Sequence, residues 1–471
     1  MARFLWSLFA LSLLGSPTHV FADSKEDAAV LESLGRALEA RPDDVKARIN
    51  RGMYYLWRTF EYENALADFN RVLELEPENV TAYIARADVY TGWDARFYDP
   101  KKAKADADKA VSLAPKLSDA FRIRGDLPGH PGMGEPEDSL RDYKRAIELD
   151  ADNLLAQVGL AYTYSKKDTA FHDRKKAFEH ARNALQIGPN ESIALEAFGD
   201  LLAGEAETRN DGLAMLNRAL ELNPRSVGTY LARGYTYLVW SMEEEWPVLL
   251  GLLQNDGLTV LDSIRGNSKA FERALKGLGE NSRLTLALND FDQAEKLCPN
   301  NDDVFSARAY ALQSFPGQER RALESYTQAA RLNPHDASVL VDRAEFLMAN
   351  PQLMIDPASV ANRGDQEDLD GAALGEMIAR RFPIVSEELE ADLGKALALE
   401  KDARTYFLRG SLRGSALENY PGAISDLSAA LEEAPLNSSY LEARAAVHEA
   451  FGHEEEAEKD RAKISDLEEM D

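Results

Sequence analysis

Ten short runs in this chain share one shape: an alanine or valine, an aliphatic residue two or three positions on, and a fixed slot five positions after the first. They are ALEARP (37–42), VLELEP (72–77), AVSLAP (110–115), AIELDA (146–151), ALQIGP (184–189), ALELNP (219–224), AEKLCP (294–299), AARLNP (329–334), ALALEK (396–401) and ALEEAP (430–435). The slots stand 35, 38, 36, 38, 35, 75, 35, 67 and 34 residues apart, so seven of nine intervals fall between 34 and 38. A period of that length is a helix, a turn, a second helix and a stop. Proline is the stop, because it lacks a backbone donor and disfavours helix in the residue before it. One hairpin cannot bury its own apolar face, so neighbours supply the core and the chain becomes a stack.

A second signature follows each slot and ends in a small residue, often with an aromatic three further on: ARINRGMYY (47–55), YIARADVY (83–90), TYLARGYTY (229–237) and VFSARAYAL (304–312). Together the two signatures resemble the tetratricopeptide repeat family. Its pattern places Gly or Ala and Tyr in a first helix, then Ala, an aromatic and Pro through a second. Gly52, Tyr55, Phe69 and Pro77 match it in one repeat, and Gly234, Tyr237, Phe291, Ala294 and Pro299 in another. The resemblance covers nearly all of residues 25–468. It implies an all-α, superhelical α-solenoid of about ten such helical hairpins, with two intra-hairpin insertions.

Comparing the repeats with one another exposes a paired position. Just before the small residue stand Arg51, Arg86, Arg124, Arg233, Arg308, Arg343, Arg409 and Arg444, with Leu160 and Phe198 in the other two hairpins. Four residues before the second-helix alanine stand Asp68, Asp106, Asp142, Asp290, Ser325, Asp392, Asp426 and Asp460, and the hairpins without arginine have His180 and Met215 there. Arginine meets aspartate in seven of eight cases. A planar guanidinium can grip a carboxylate with two parallel hydrogen bonds, so the covariation predicts a structural ion pair inside each hairpin.

The same pairing locates the insertions. Most partners lie 16 to 20 residues apart, but Arg233 and Asp290 are 57 apart and Arg343 and Asp392 are 49 apart. The extra segments therefore sit between the two helices of one hairpin and should project from one edge as loops. The expected order is a signal peptide (1–22), an N-terminal capping helix (23–44), repeats (45–240), a helical insertion (241–282), repeats (283–349), an acidic insertion (350–386), then repeats and a C-terminal capping helix (387–471). In the first insertion Trp246, Leu249, Leu250 and Leu253 could form one apolar contact face, either folded back on the solenoid or offered as a docking lid or oligomer contact. The second contains NRGDQEDLDGAALGE (362–376), where Asp368, Asp370 and Gly371 match a calcium loop but Gln366 and Met377 stand where carboxylates are needed. It reads as a solvated acidic loop. The run GDLPGHPGMGEP (125–136) reads as a wide loop, since no Gly-Lys-Ser/Thr ending makes it a phosphate cradle.

Catalytic signatures are missing from the sequence. His448, Glu449 and His453 approach a zinc-protease motif, but the second histidine falls five residues on rather than four, so the rings should not share a helix face. No enzyme activity, metal or cofactor is expected. Residues 1–22 place Arg3 before an apolar run from Phe4 to Leu14 and end in Ala22, which reads as a cleaved export signal too short to span a bilayer. A periplasmic or secreted location follows. Acids outnumber bases by 81 to 54, and a net charge of −27 disfavours nucleic acid and anionic membranes as partners. The one cysteine, Cys298, is expected to be packed in the interior.

What remains is recognition. The resemblance implies a concave wall, lined by first helices, that receives an extended or helical peptide. Carried over by register, Asp88, Asp126, Tyr162, Glu196, Asp200, Tyr235, Tyr310 and Glu345 become the partner-binding groove, with acids favouring a basic or neutral protein segment. The expected function is an exported protein–protein interaction scaffold or assembly factor. A sensor whose insertion acts as a ligand-responsive lid and a structural oligomer are the alternatives.

Overall fold

The computed structural model describes residues 24–468 apart from Trp93, Ala95, 128–133, Glu135, 167–168, 256–268 and 356–370. The export signal, most of the wide loop at 125–136 and the acidic part of the second insertion fall outside the described residues. Every regular element among the described residues is helical, and the chain forms an α-solenoid in two compact units. One unit comprises residues up to Trp246 with Glu280–Ala307; the other comprises Pro247–Gly279 with Arg308 onward.

The turn between hairpins is the same object throughout. The residue before each proline leaves the helical region, as it must when Pro Cδ crowds it. Glu76, Ala114, Gly188, Asn223, Cys298, Asn333 and Ala434 all have φ between −127° and −135° and ψ between 69° and 86°. Two residues after the slot, an Asp, Asn or Ser often caps the next helix. Asp44, Asn79, Asn153, Asn301, Asp336 and Asn437 accept from the backbone N–H three residues on at 2.9–3.2 Å. This cap is legible in the sequence as a polar residue at fixed offset from the slot.

In the N-terminal unit, first helices Val45–Tyr54, Val80–Tyr90, Ser118–Gly125, Leu154–Ser165, Ser192–Ala203 and Val227–Glu244 pack on second helices Tyr62–Leu75, Pro100–Leu113, Pro136–Leu149, Arg174–Ile187, Arg209–Leu222 and Arg283–Leu297. Each first helix also touches the next first helix. The first-helix layer is therefore the inner, more crowded side of this curved stack. The curvature brings the turn before Val227–Glu244 back to the first hairpin, where the Arg225 guanidinium lies 5.3 Å from the Phe60 ring. Ser24–Ala40 packs on Val45–Tyr54 at the N-terminal end.

Hairpin closure rests on two neighbouring contacts. Arg51, Arg86, Arg124, Arg233, Arg409 and Arg444 each donate Nε and Nη2 to the two carboxylate oxygens of Asp68, Asp106, Asp142, Asp290, Asp426 and Asp460, at 2.6–2.9 Å. Arg343 pairs with Asp392 across the second insertion. Beside this fork a small residue meets a large one: a Cβ added at Gly52 would stand 2.6 Å from the Phe69 ring, and one at Gly234 would stand 2.9 Å from Phe291. Where arginine is lacking, other contacts fill the place. His180 Nδ1 is 2.8 Å from Gln157 Oε1 and its ring stacks on Tyr164, while Phe198 meets Phe178 edge to face.

In the C-terminal unit Ala337–Ala349 packs on Gly371–Leu399, Ala403–Ser415 on Tyr420–Glu433, and Ser438–Ala450 on Glu454–Glu468. Two expectations are corrected here. The second insertion is not simply an acidic loop, since residues 371–386 continue the second helix of their hairpin; the first insertion, expected to be helical, forms helices Trp246–Asn255 and Lys269–Leu278. The proposed contact face is also not free, because Leu249 (1% exposed) and Leu253 are buried and Trp246 and Leu250 are half-buried. Leu249, Leu250 and Leu253 belong to the C-terminal unit, as does the insertion's Phe271, whose ring lies 5.8 Å from that of Phe315.

The fork predicts an asymmetry. Asp106→Ala leaves the Arg86 guanidinium uncompensated and should lower unfolding stability in urea by about 3 kcal/mol, whereas Arg86→Met with Asp106→Leu should recover most of that loss.

Candidate functional site

The inner layer of the N-terminal unit presents two register positions, two residues before and two residues after the arginine slot. The first carries Ile49, Ile84, Arg122, Val158, Glu196 and Leu231; the second carries Met53, Asp88, Asp126, Tyr162, Asp200 and Tyr235. One turn of helix separates the two, so both face the adjoining first helices. Crowding buries most of them. Asp88 (1% exposed), Asp126, Tyr162 and Glu196 (2% exposed) are closed off from solvent, which corrects their placement on an open groove. Asp200 and Tyr235 remain half-buried. Tyr310 and Glu345 belong to the other unit, both half-buried, and Glu345 is ion-paired with Arg404.

Two polar clusters result. In the first, Arg122 lies between two aspartates: Nη1 donates to Asp88 Oδ1 at 3.0 Å and to Asp126 Oδ2 at 2.8 Å, and Nη2 reaches Asp88 Oδ2 at 3.4 Å. The Tyr143 hydroxyl donates to Asp126 Oδ1 at 2.6 Å. Burial pushes the Asp126 carboxyl up to about 7 against the pull of Arg122, and raises Asp88 as well. Arg122 was within reach of the sequence: five of the six equivalent positions are not basic, and this one is.

The second cluster has no such cation. Glu196 Oε2 accepts from the hydroxyls of Ser226, at 3.1 Å, and Thr229, while Oε1 is buried without a hydrogen-bond partner. Burial pushes Glu196 up to about 8, with the two hydroxyls pulling the other way and Asp200 adding to the rise. Burial alone lifts Asp200 to about 6. Tyr162, on the preceding first helix, feels the field of both carboxylates.

Just beyond Tyr235 the wall changes character. The helix Val227–Glu244 has 18 residues, against 8 to 12 in the other first helices of this unit, so its last turns overhang the hairpin. Tyr235, Val239 and Met242 fall on one face at helical spacing, with Val239 37% and Met242 41% exposed. Trp240 secures the overhang from another side: the Arg283 guanidinium lies 4.0 Å and that of Arg209 5.6 Å from its ring, and its indole N–H donates to Glu244 at 2.6 Å.

Elsewhere, Cys298 is buried, and burial pushes its thiol up to about 12. His448 and His453 do come together, with rings 6.3 Å apart, because Gly452 at φ 80° ends the helix and turns the chain back. Tyr420 joins them, its hydroxyl 2.9 Å from His448 Nδ1 and its ring stacked on His453. Among the described residues no three metal-ligating side chains converge, and no helix is long and apolar enough to cross a membrane.

A tetratricopeptide repeat model matches residues 45–79, the first hairpin and the turn that closes it. The chain carries a tetratricopeptide repeat. Small glutamine-rich tetratricopeptide repeat-containing protein 2 of Saccharomyces cerevisiae is 25% identical over 170 residues, covering 35% of this chain and 46% of that one. The formate-dependent nitrite reductase complex subunit NrfG of Escherichia coli O157:H7 is 32% identical over 97 residues, covering 21% of this chain and 48% of that one. The chain thus spans under half the length of either curated relative. Among solved structures, the tetratricopeptide repeat protein YrrB aligns with 42% of this chain and 96% of its own at 23% identity (TM-score 0.26), and human IFIT1 with 96% of both at 12% identity (TM-score 0.43).

Glu196 makes stability depend on pH. The folded chain holds its proton up to about 8 where the ordinary value is 4.5, so its favourable contribution is full below that ordinary value and is lost as pH rises through 8. Glu196→Gln should therefore flatten the fall in melting temperature between pH 5 and pH 9 relative to the parent, measured by circular dichroism.

Proposed function

We propose that this chain is an exported, non-catalytic scaffold or assembly factor that holds a segment of a partner protein along the first-helix wall of its N-terminal unit. Proteins of this repeat family mediate protein–protein interaction and assembly. The observation that carries the placement is the overhanging face of Tyr235, Val239 and Met242. It is an apolar stripe on a rigidly held helix, continuous in register with the inner wall, and it suits an apolar helical or extended segment. The half-buried Asp200 on the neighbouring first helix adds negative charge, which favours a basic or neutral segment. The apolar start of the chain, with Arg3 before it and Ala22 after it, supports export.

The test replaces the stripe and leaves the folded layers alone. Val239→Asp with Met242→Asp should keep the parent's helical signal and melting temperature, while proteins crosslinked to the parent in the exported fraction are lost from the variant. Capture of the same proteins by both would overturn the placement on this wall. If light scattering shows instead that the parent is an oligomer and the variant a monomer, the stripe joins copies of this chain and the partner reading fails.

A further inference from the structure

The two clusters on the inner wall differ in one register position: Glu196 stands where Arg122 stands two hairpins earlier, with Asp200 at the place of Asp126. In the first, carboxylates on adjoining first helices are bridged by Arg122, itself buried and fixed by both. In the second, Glu196 and Asp200 stand one helical turn apart, and no cation forms an ion pair with either among the described residues. A buried carboxylate without a counter-charge or a full set of donors is costly. The protein supplies donors to one oxygen of Glu196 only, through Ser226 and Thr229, and the other oxygen is buried and bare. Glu196 is buried and Asp200 half-buried, so the pair has a closed end at Glu196 and a less closed end at Asp200.

We propose that Glu196 and Asp200 form a seat for one cationic side chain of the partner, a guanidinium or ammonium group that supplies the positive charge this level of the wall lacks. This rests on the reading of the wall as the partner's seat and names the charge that seat selects. Tyr162 supplies an aromatic wall, and its ring electrons favour a cation beside it. The apolar stripe of Val239 and Met242 then holds the flanking residues of the same segment. The protein's net charge of −27 draws a basic segment toward the wall from a distance.

The test uses the full mature chain and three blocked heptapeptides of leucine and alanine with a central arginine, lysine or citrulline. By fluorescence anisotropy at pH 8 the parent should bind the arginine or lysine peptide roughly thirtyfold tighter than the citrulline peptide. The ratio between the two cationic arms identifies the head group. Glu196→Gln and Asp200→Asn should each bring the cationic peptides down to the citrulline level. Both variants should melt no lower than the parent at pH 8, since each removes an uncompensated charge. The cation site is overturned if the variants keep the preference, if no cationic peptide outcompetes citrulline on the parent, or if either variant is strongly destabilised, which would mark its carboxylate as structural. Failure of this charge preference with the Val239/Met242 result intact would leave the wall as the partner's seat. Loss of that result too would remove the seat itself.

Discussion

The Arg–Asp fork that recurs in most hairpins is the constraint on which the stack depends. A bidentate guanidinium and carboxylate tolerate little sliding or rotation, so the fork sets the register of the two helices at one level. The next residue on each helix then has its partner chosen for it. Gly52 faces Phe69 and Gly234 faces Phe291 because Arg51 faces Asp68 and Arg233 faces Asp290. Ion pair and close approach are adjacent readings of one alignment. That explains how Arg233 and Asp290 can be 57 residues apart and still meet as Arg51 and Asp68 do. An insertion between the helices lengthens the loop, and loop length costs closure entropy only slowly.

Once register is fixed, every first helix presents equivalent positions to the inner wall, and the wall's chemistry becomes a matter of single substitutions. Ile84 and Leu231 make it apolar at two levels; Arg122 and Glu196 make it polar at others. Each polar group that enters this crowded layer loses water. The fold tolerates Arg122 because two aspartates and, through Asp126, the Tyr143 hydroxyl complete its surroundings. It completes those of Glu196 only by half. The repeat thus creates a comparison inside one molecule between a satisfied and an unsatisfied version of the same site.

Much of this was legible in the sequence, and the reason is periodicity. Period, turn, fork and small residue recur, so an error in one copy is corrected by the others; each insertion is located by the wide spacing of its own pair, Arg233 with Asp290 and Arg343 with Asp392. Burial is not periodic in that way. Whether Asp88 faces a groove or lies under the neighbouring hairpin depends on how tightly successive first helices crowd together, and no single repeat contains that information. The first insertion's face is ambiguous for a similar reason. Leu249 and Leu253 spell an amphipathic helix, but an amphipathic helix reads alike whether its apolar face meets a partner or its own unit. The overhang of Val227–Glu244 was visible as unbroken helix-forming residues past Tyr237. The family pattern ends the first helix earlier, which puts the expected start of the insertion at 241 inside this helix.

The half-satisfied carboxylates couple recognition to protonation. With Glu196 held up near 8 and Asp200 near 6, the pair carries part of its proton complement at neutral pH. A cation and a proton are alternative ways to neutralise the same oxygens. Binding of a guanidinium must therefore expel protons, and by linkage a more acidic medium weakens the cation's hold. Asp88 and Asp126 behave differently because their cation is covalently part of the chain and cannot leave. The contrast between a resident arginine and an exchangeable one turns one level of the wall into scaffold and the other into a seat.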